Sequence, residues 1–225
     1  MQEHDLVRMN AALRHRLRNF ASGIKSAATV LSKELEDKAS PDILEYFPLI
    51  IRECDRIGEV TNRMSLLFDS LPDEPAEPLE AWLRRVQQHI RAAFPTAPLA
   101  VEAPAAAMEC SIPRSSLTAA AAAEIVHNAI EASPQAGATL SVRRNRDTIV
   151  IRIEDHGPGV AADMRPNLFQ PFTTTRSQHL GIGLALARRI ARHAGGDVQA
   201  THTPGAGLAV EMTLPDGTMP KERAP

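Results

Sequence analysis

At 225 residues the chain can form one large domain or two small ones, and a hydrophobic content of 44% is enough for a core. Aromatics make up only 4%, so Leu, Ile, Val and Ala must build that core, and a formal net charge of −2 without a basic arm argues against nucleic acid as a partner. The two cysteines, Cys54 and Cys110, have no nearby partner motif, which excludes a disulfide framework and a cysteine zinc site and suits a reducing, cytoplasmic setting. No apolar run approaches the roughly 20 residues that cross a bilayer. The opening stretch 1–10 is polar, so no signal peptide is expected.

The first 70 residues read as two long helices. Leu6, Leu13, Leu17, Phe20, Ile24, Leu31 and Leu35 recur at coiled-coil-like intervals. The break falls at Lys38 to Asp42, where Ser40 can cap the next helix and Pro41 suits its first turn. The second helix carries Ile43, Phe47, Ile50, Cys54, Ile57, Met64 and Leu67, with Pro48 expected to kink it or mark a late start. One such hairpin cannot bury its apolar stripe, whereas two copies in a four-helix bundle can, so a homodimer is expected. His15, two residues from both Leu13 and Leu17, falls roughly 200° away from them and should face solvent. Its neighbours Arg14, Arg16 and Arg18 are expected to share that exposed setting and to favour a neutral imidazole.

Residues 71–78 hold three prolines and read as a linker between a hairpin at 1–70 and a second domain at 79–216, with a tail at 217–225. Within the second domain the patterns predict helices at Ala81–Phe94, Ser115–Ala132 and Gly183–Ala194. Strands are predicted at Leu99–Glu102, Met108–Ile112, Thr139–Arg144, Thr148–Glu154, Val198–Thr201 and Leu208–Thr213. Helices grouped apart from mostly antiparallel strands give an α+β sandwich.

Three polar motifs sit on these elements. Glu124 and Asn128 lie one turn apart on an alanine-rich helix, a pair that could equally be plain surface. Asp155-His-Gly157-Pro-Gly159 follows a strand and forms a turn that lets a ligand approach the backbone, as many tight turns do. Gly181-Ile-Gly183 opens a helix, where free N–H groups can cradle phosphate. In order, Asn128-Ala129, Asp155-x-Gly157-x-Gly159, Phe169-x-x-Phe172 and Gly181-x-Gly183 resemble the N, G1, F and G2 boxes of the histidine-kinase ATPase fold, shared with DNA gyrase and Hsp-type chaperones. The resemblance covers about 78–214. It implies that Asn128 holds Mg²⁺ on the ATP phosphates, that Glu124 lies with it in the cofactor site, and that Asp155 accepts the adenine amino group. It implies that Gly157 and Gly159 line the base pocket and that Gly181 and Gly183 contact phosphate. It makes 160–180 an ATP lid, with Phe172 in its F box and Arg176 within reach of the phosphates. His179 stands where the family pattern has another glycine, which is expected to stiffen the lid or replace a backbone contact.

The stretch from His15 to Leu31, with Asn19 one turn beyond His15, resembles the H box of nitrogen-regulation-type sensor kinases, and Glu53 to Ile57 resembles their second helix. This resemblance implies a bacterial two-component sensor histidine kinase that phosphorylates His15 with ATP and passes the phosphoryl group to an aspartate of a response regulator receiver domain. Asn19 would then serve dephosphorylation of the partner, and a separate sensor protein could supply the signal. Where the family pattern has an acid after the histidine, this chain has Arg16, so the proton acceptor is another carboxylate or none is needed. Competing readings are a phosphotransfer relay with a degenerate ATPase domain, an anti-sigma-type serine kinase, and a non-enzymatic dimeric scaffold.

Overall fold

A computed structural model describes residues 3–176, 179–202 and 207–218 and divides the chain into two compact units, 1–70 and 71–225. Outside the described residues fall the expected tail from 219 onward, lid residues 177 and 178, and the side chain of Leu6 at the start of the seam.

The first unit is a helical hairpin of α1 (Glu3–Glu34), a short α2 (Pro41–Leu44) and α3 (Tyr46–Phe68). Pro48 accounts for the break after α2. In a continuous helix its ring would strike the Leu44 carbonyl four residues back, so α3 restarts at Tyr46, where Pro48 sits in the first turn and removes no bond. The expected cap is absent, because the Ser40 side chain makes no capping bond to α2.

The two long helices meet through a heptad of mostly small residues. Arg14, Ala21 and Ala28 on α1 are buried, as are Phe47, Cys54 and Thr61 on α3, and each set repeats every seventh residue. Phe47 and Leu67 of the expected seam are buried, but most of its larger apolar residues point away from this contact: Phe20 is 65% exposed and Ile24 53%, and Leu13, Leu17, Leu31, Ile43, Ile50 and Ile57 are exposed with them. The hairpin therefore closes largely on small residues, with Arg14, Phe47 and Leu67 beside them, and leaves most of its large apolar residues uncovered.

The second unit contains a five-stranded sheet in the order β2-β4-β5-β7-β6, formed by β2 (Leu99–Glu102), β4 (Ala138–Asn145), β5 (Thr148–Asp155), β6 (Asp197–His202) and β7 (Leu208–Pro215). All pairings are antiparallel except β2 with β4. Helices α6 (Ser115–Ala132) and α7 (Gly183–His193) lie against the sheet, and α4 (Leu79–Ala93) packs on α6. On β5 the alternation is strict: Ile149, Ile151 and Ile153 point into the core, while Arg152 on the other face bridges Glu154 and Glu211 at 2.5 and 2.7 Å. Ala119, Ala121, Ala122 and Ala123 are buried on α6, and their small side chains let that helix lie close to its neighbours.

Two expectations change here. The strand expected over Met108–Ile112 shrinks to β3 (Ser111–Ile112), paired with β1 (Glu77–Pro78), because the alanines after Pro104 form one helical turn, α5 (Ala105–Met108). Residues 71–78, expected as a linker, lie along the second unit. The Glu74 carboxylate accepts the N–H groups of Ser116 and Leu117 at 3.0 and 3.1 Å and so caps α6 from outside the helix. Arg114, just before α6, pairs with Asp73 and donates to the Pro72 carbonyl at 3.0 Å.

Candidate functional site

Asp155 is the last residue of the inward-facing row on β5, which is why a carboxylate lies only 4% exposed among isoleucines. Burial of a charge requires compensation. Its Oδ1 accepts the N–H groups of Gly157 at 2.8 Å and Leu208 at 3.2 Å. The glycines around it are required by close approach. A Cβ on Gly157 would stand 2.7 Å from the Ala132 carbonyl oxygen at the end of α6. Gly159 turns at φ +74°, a conformation that side chains disfavour. Gly207 was not singled out from the sequence, yet it has φ +85° and no room for a Cβ, which would fall 2.1 Å from the Asp155 carbonyl oxygen.

The expected lid residues are tied to the start of α7. The Phe172 N–H donates to the Gly181 carbonyl at 2.9 Å, and Gly181, at φ +65°, presses its Cα against the Thr173 backbone. Gly183 is the first residue of α7, and Ile182 before it offers no side-chain cap to the helix N–H groups. The Phe172 ring is exposed, on a residue with φ +66°. Phe169 instead lies under the Arg188 guanidinium, 5.0 Å from the ring centre. Arg188 is held by both carboxylate oxygens of Asp197, at 2.9 and 3.2 Å. The bonds from Arg188, then from Arg192, hold the Asp197 carboxyl well below the usual carboxylate range against the opposing effect of burial.

Glu124 and Asn128 are half-buried on α6, one turn apart. One turn beyond Asn128 comes Glu131, which the sequence reading passed over. Its carboxylate pairs with Arg176 and lies 3.2 Å from His179 Nε2 and 3.6 Å from His127 Nδ1. The His179 that departs from the glycine pattern thus has an acidic partner on α6. A Glu three residues after Asn128 lies on nearly the same helix face, and that spacing could have flagged it. The second unit thus brings the end of β5, the C-terminal half of α6, Arg176 and the start of α7 to one side of the domain.

His15 and Asn19 lie on α1, both exposed, with Asn19 Nδ2 3.3 Å from His15 Nε2. The arginines around His15 do not behave as a set. Arg14 is 3% exposed and turned into the hairpin, where it donates to Asn10 at 2.8 Å and Ser65 at 3.3 Å and pairs with Asp69. Its heptad phase with Ala21 and Ala28 fixes that inward direction, so the expectation that Arg14 shares the exposed setting of His15 does not hold. Arg16 is exposed and Arg18 half-buried.

Residues 116–218 match the family model described as histidine kinase-, DNA gyrase B- and HSP90-like ATPase. Over 225 aligned residues the chain is 29% identical to the sensory histidine kinase/phosphatase NtrB of Escherichia coli O157:H7, covering 89% of this chain and 59% of that protein. It is 26% identical to NtrB of Azospirillum brasilense, over 87% of this chain and 52% of that one. A 95-residue stretch is 40% identical to the sensor protein KdpD of Rathayibacter rathayi, covering 40% of this chain and 11% of that one. The chain therefore spans about three fifths or less of these relatives' lengths. Among solved structures, full-length ShkA in complex with AMPPNP matches 93% of this chain and 46% of its own, with a TM-score of 0.76 at 22% identity, a likeness of fold. Residues 116–218 thus match the histidine kinase-, DNA gyrase B- and HSP90-like ATPase family, and the chain is similar over most of its length to sensory histidine kinases.

Proposed function

We propose that the chain is a sensor-kinase core that binds Mg·ATP in the second unit, phosphorylates His15 and passes the phosphoryl group to an aspartate of a response regulator receiver domain. The observation that carries the nucleotide site is the buried Asp155 carboxylate, with the backbone of Gly157 and Gly207 packed closely around it. Asp155 would accept the adenine amino group, beside Gly157 and Gly159. Gly181, Gly183 and Arg176 would face the phosphates, with charge-assisted bonds from Arg176.

The donor set fits Mg²⁺ in the way ATP enzymes use it. Among the described residues no three His, Cys, Asp or Glu side chains converge on a metal position. Asn128, with Glu124 one turn away on the same helix, would hold the ion. When bound, it neutralises charge on the transferring phosphate. A neutral His15 nitrogen would attack the γ-phosphorus, forming an N–P bond as the bond to the ADP oxygen breaks, and the ring proton would leave to solvent or a carboxylate. The uncovered apolar residues of the hairpin would be buried by a second copy of the chain. A separate sensor would control this core, and its setting would be the cytoplasm.

Titration of the full chain with Mg·ATP tests the nucleotide site. Asp155→Ala should weaken binding by about 1–3 kcal/mol, roughly 5- to 150-fold, because a buried donor loses its acceptor. Unchanged affinity in a folded variant contradicts the assignment. Asn19, against His15, would orient the water that hydrolyses the partner's phospho-aspartate. Asn19→Ala should lower phosphatase activity and spare His15 labelling; equal loss of both would mark a general docking role instead.

A further inference from the structure

We propose that Glu131 is a built-in competitor of the nucleotide's phosphates for Arg176, and so sets the affinity of the site for phosphate-bearing ligands. The inference rests on the ATP reading above and adds a residue that the boxes do not contain. One carboxylate, on a side chain 20% exposed, engages the Arg176 guanidinium through Oε2 and approaches two imidazoles, His179 and His127, through Oε1. His127 is in turn braced by Phe94, ring centre to ring centre 4.7 Å. A cleft of about 540 Å³ opens beside the cluster, bounded by Phe94, Pro95, Ile130, Glu131, Pro134 and Arg176.

The charges are arranged as an anion nest already filled by the protein's own anion. Glu131 rises from α6 one turn after Asn128, the residue proposed above to hold Mg²⁺. A triphosphate and a carboxylate cannot share one guanidinium without mutual repulsion, and the multiply charged ligand offers more acceptor oxygens. Binding of ATP therefore requires Arg176 to leave Glu131. A nucleoside without phosphates has no claim on Arg176 and leaves the pair intact. His179, where the family pattern has glycine, gives Glu131 a second partner and strengthens its hold on the segment that includes Arg176.

The full chain, Glu131→Gln, Arg176→Gln and the double variant should each be titrated with Mg·ATP and with adenosine. Glutamine keeps the shape of Glu131 and removes its charge. Glu131→Gln should bind Mg·ATP about three- to tenfold tighter, a modest factor because the pair is partly solvated, and should bind adenosine as the unmodified chain does. In the Arg176→Gln background the same change should be worth less than about twofold, since its partner is already gone. Equal or weaker Mg·ATP binding by Glu131→Gln overturns the proposal. So does an undiminished gain in the Arg176→Gln background, which would mean direct repulsion of phosphate, or an equal change for adenosine, which would mean a reshaped pocket. An unmodified chain that binds neither ligand overturns the ATP reading itself, whereas one that binds ATP normally while Glu131→Gln changes nothing overturns this inference alone.

Discussion

At the scale of single residues, the burial of Asp155 follows from strand parity, and its tolerance follows from the backbone N–H groups and glycines that meet it. Asp197 shows the opposite arrangement, a surface carboxylate fixed by two arginines at the turn from α7 into β6. Because these bonds lower its folded pKa below the ordinary 3.8, its contribution to stability is fully present above that value. The contribution is lost only as pH falls further, through the lowered folded value. Asp197→Asn should therefore cost about 0.5–1 kcal/mol at neutral pH, discounted for a group about one third exposed. Denaturant midpoints of the two proteins should converge as pH falls below 3.8. A gap that stays constant in strong acid contradicts the ion-pair account. The acid and glycines of 155–159 were legible because they sit together in the sequence. Gly207 was not, since it acquires its role by folding back onto a residue some fifty positions earlier. Arg14 misled for a related reason: adjacency to His15 says nothing about phase, and the heptad turns it inward.

At the scale of elements, the hairpin explains how a regular apolar pattern can leave a face uncovered. The pattern located both helices, and Pro48 located the restart of the second. It did not reveal that the pairing within the chain would use Arg14, Ala21 and Ala28 and leave Phe20 and Ile24 outside, because large and small apolar residues count alike in a periodicity. The uncovered residues predict the behaviour of the hairpin in solution. Ile24→Asp or Ile57→Asp should convert a dimer to a monomer at micromolar concentration, since a charge buried without a partner is strongly unfavourable. Light scattering showing a monomer before substitution, or an intact dimer after it, contradicts burial of this face by a second copy. In the second unit, the long strands and α6 were legible to within a residue or two, because strict alternation and an uninterrupted alanine-rich run leave no competing pattern. The stretch 104–112 was not: its short apolar residues fit a helical turn and a strand equally well, and pairing with β1 decides only the last two.

At the scale of the whole molecule, the two units divide the proposed chemistry, with the acceptor His15 on the hairpin and the nucleotide site on the sandwich. The order of motifs along the chain made this division readable before any coordinates, because each box alone is common and the sequence of four is not. The Glu131 cluster lay beyond that reading, since no box contains it and only the approach of 176 and 179 to α6 creates it. The most direct test of the account is incubation of the full chain with Mg²⁺ and γ-labelled ATP, with the label assayed for acid and alkali stability. The unmodified protein should take up a label that is lost in acid and kept in alkali, and His15→Gln, which offers no nucleophilic nitrogen, should take up none while still binding ATP. A strong label on His15→Gln, or none on an unmodified chain that binds ATP, contradicts phosphorylation at His15.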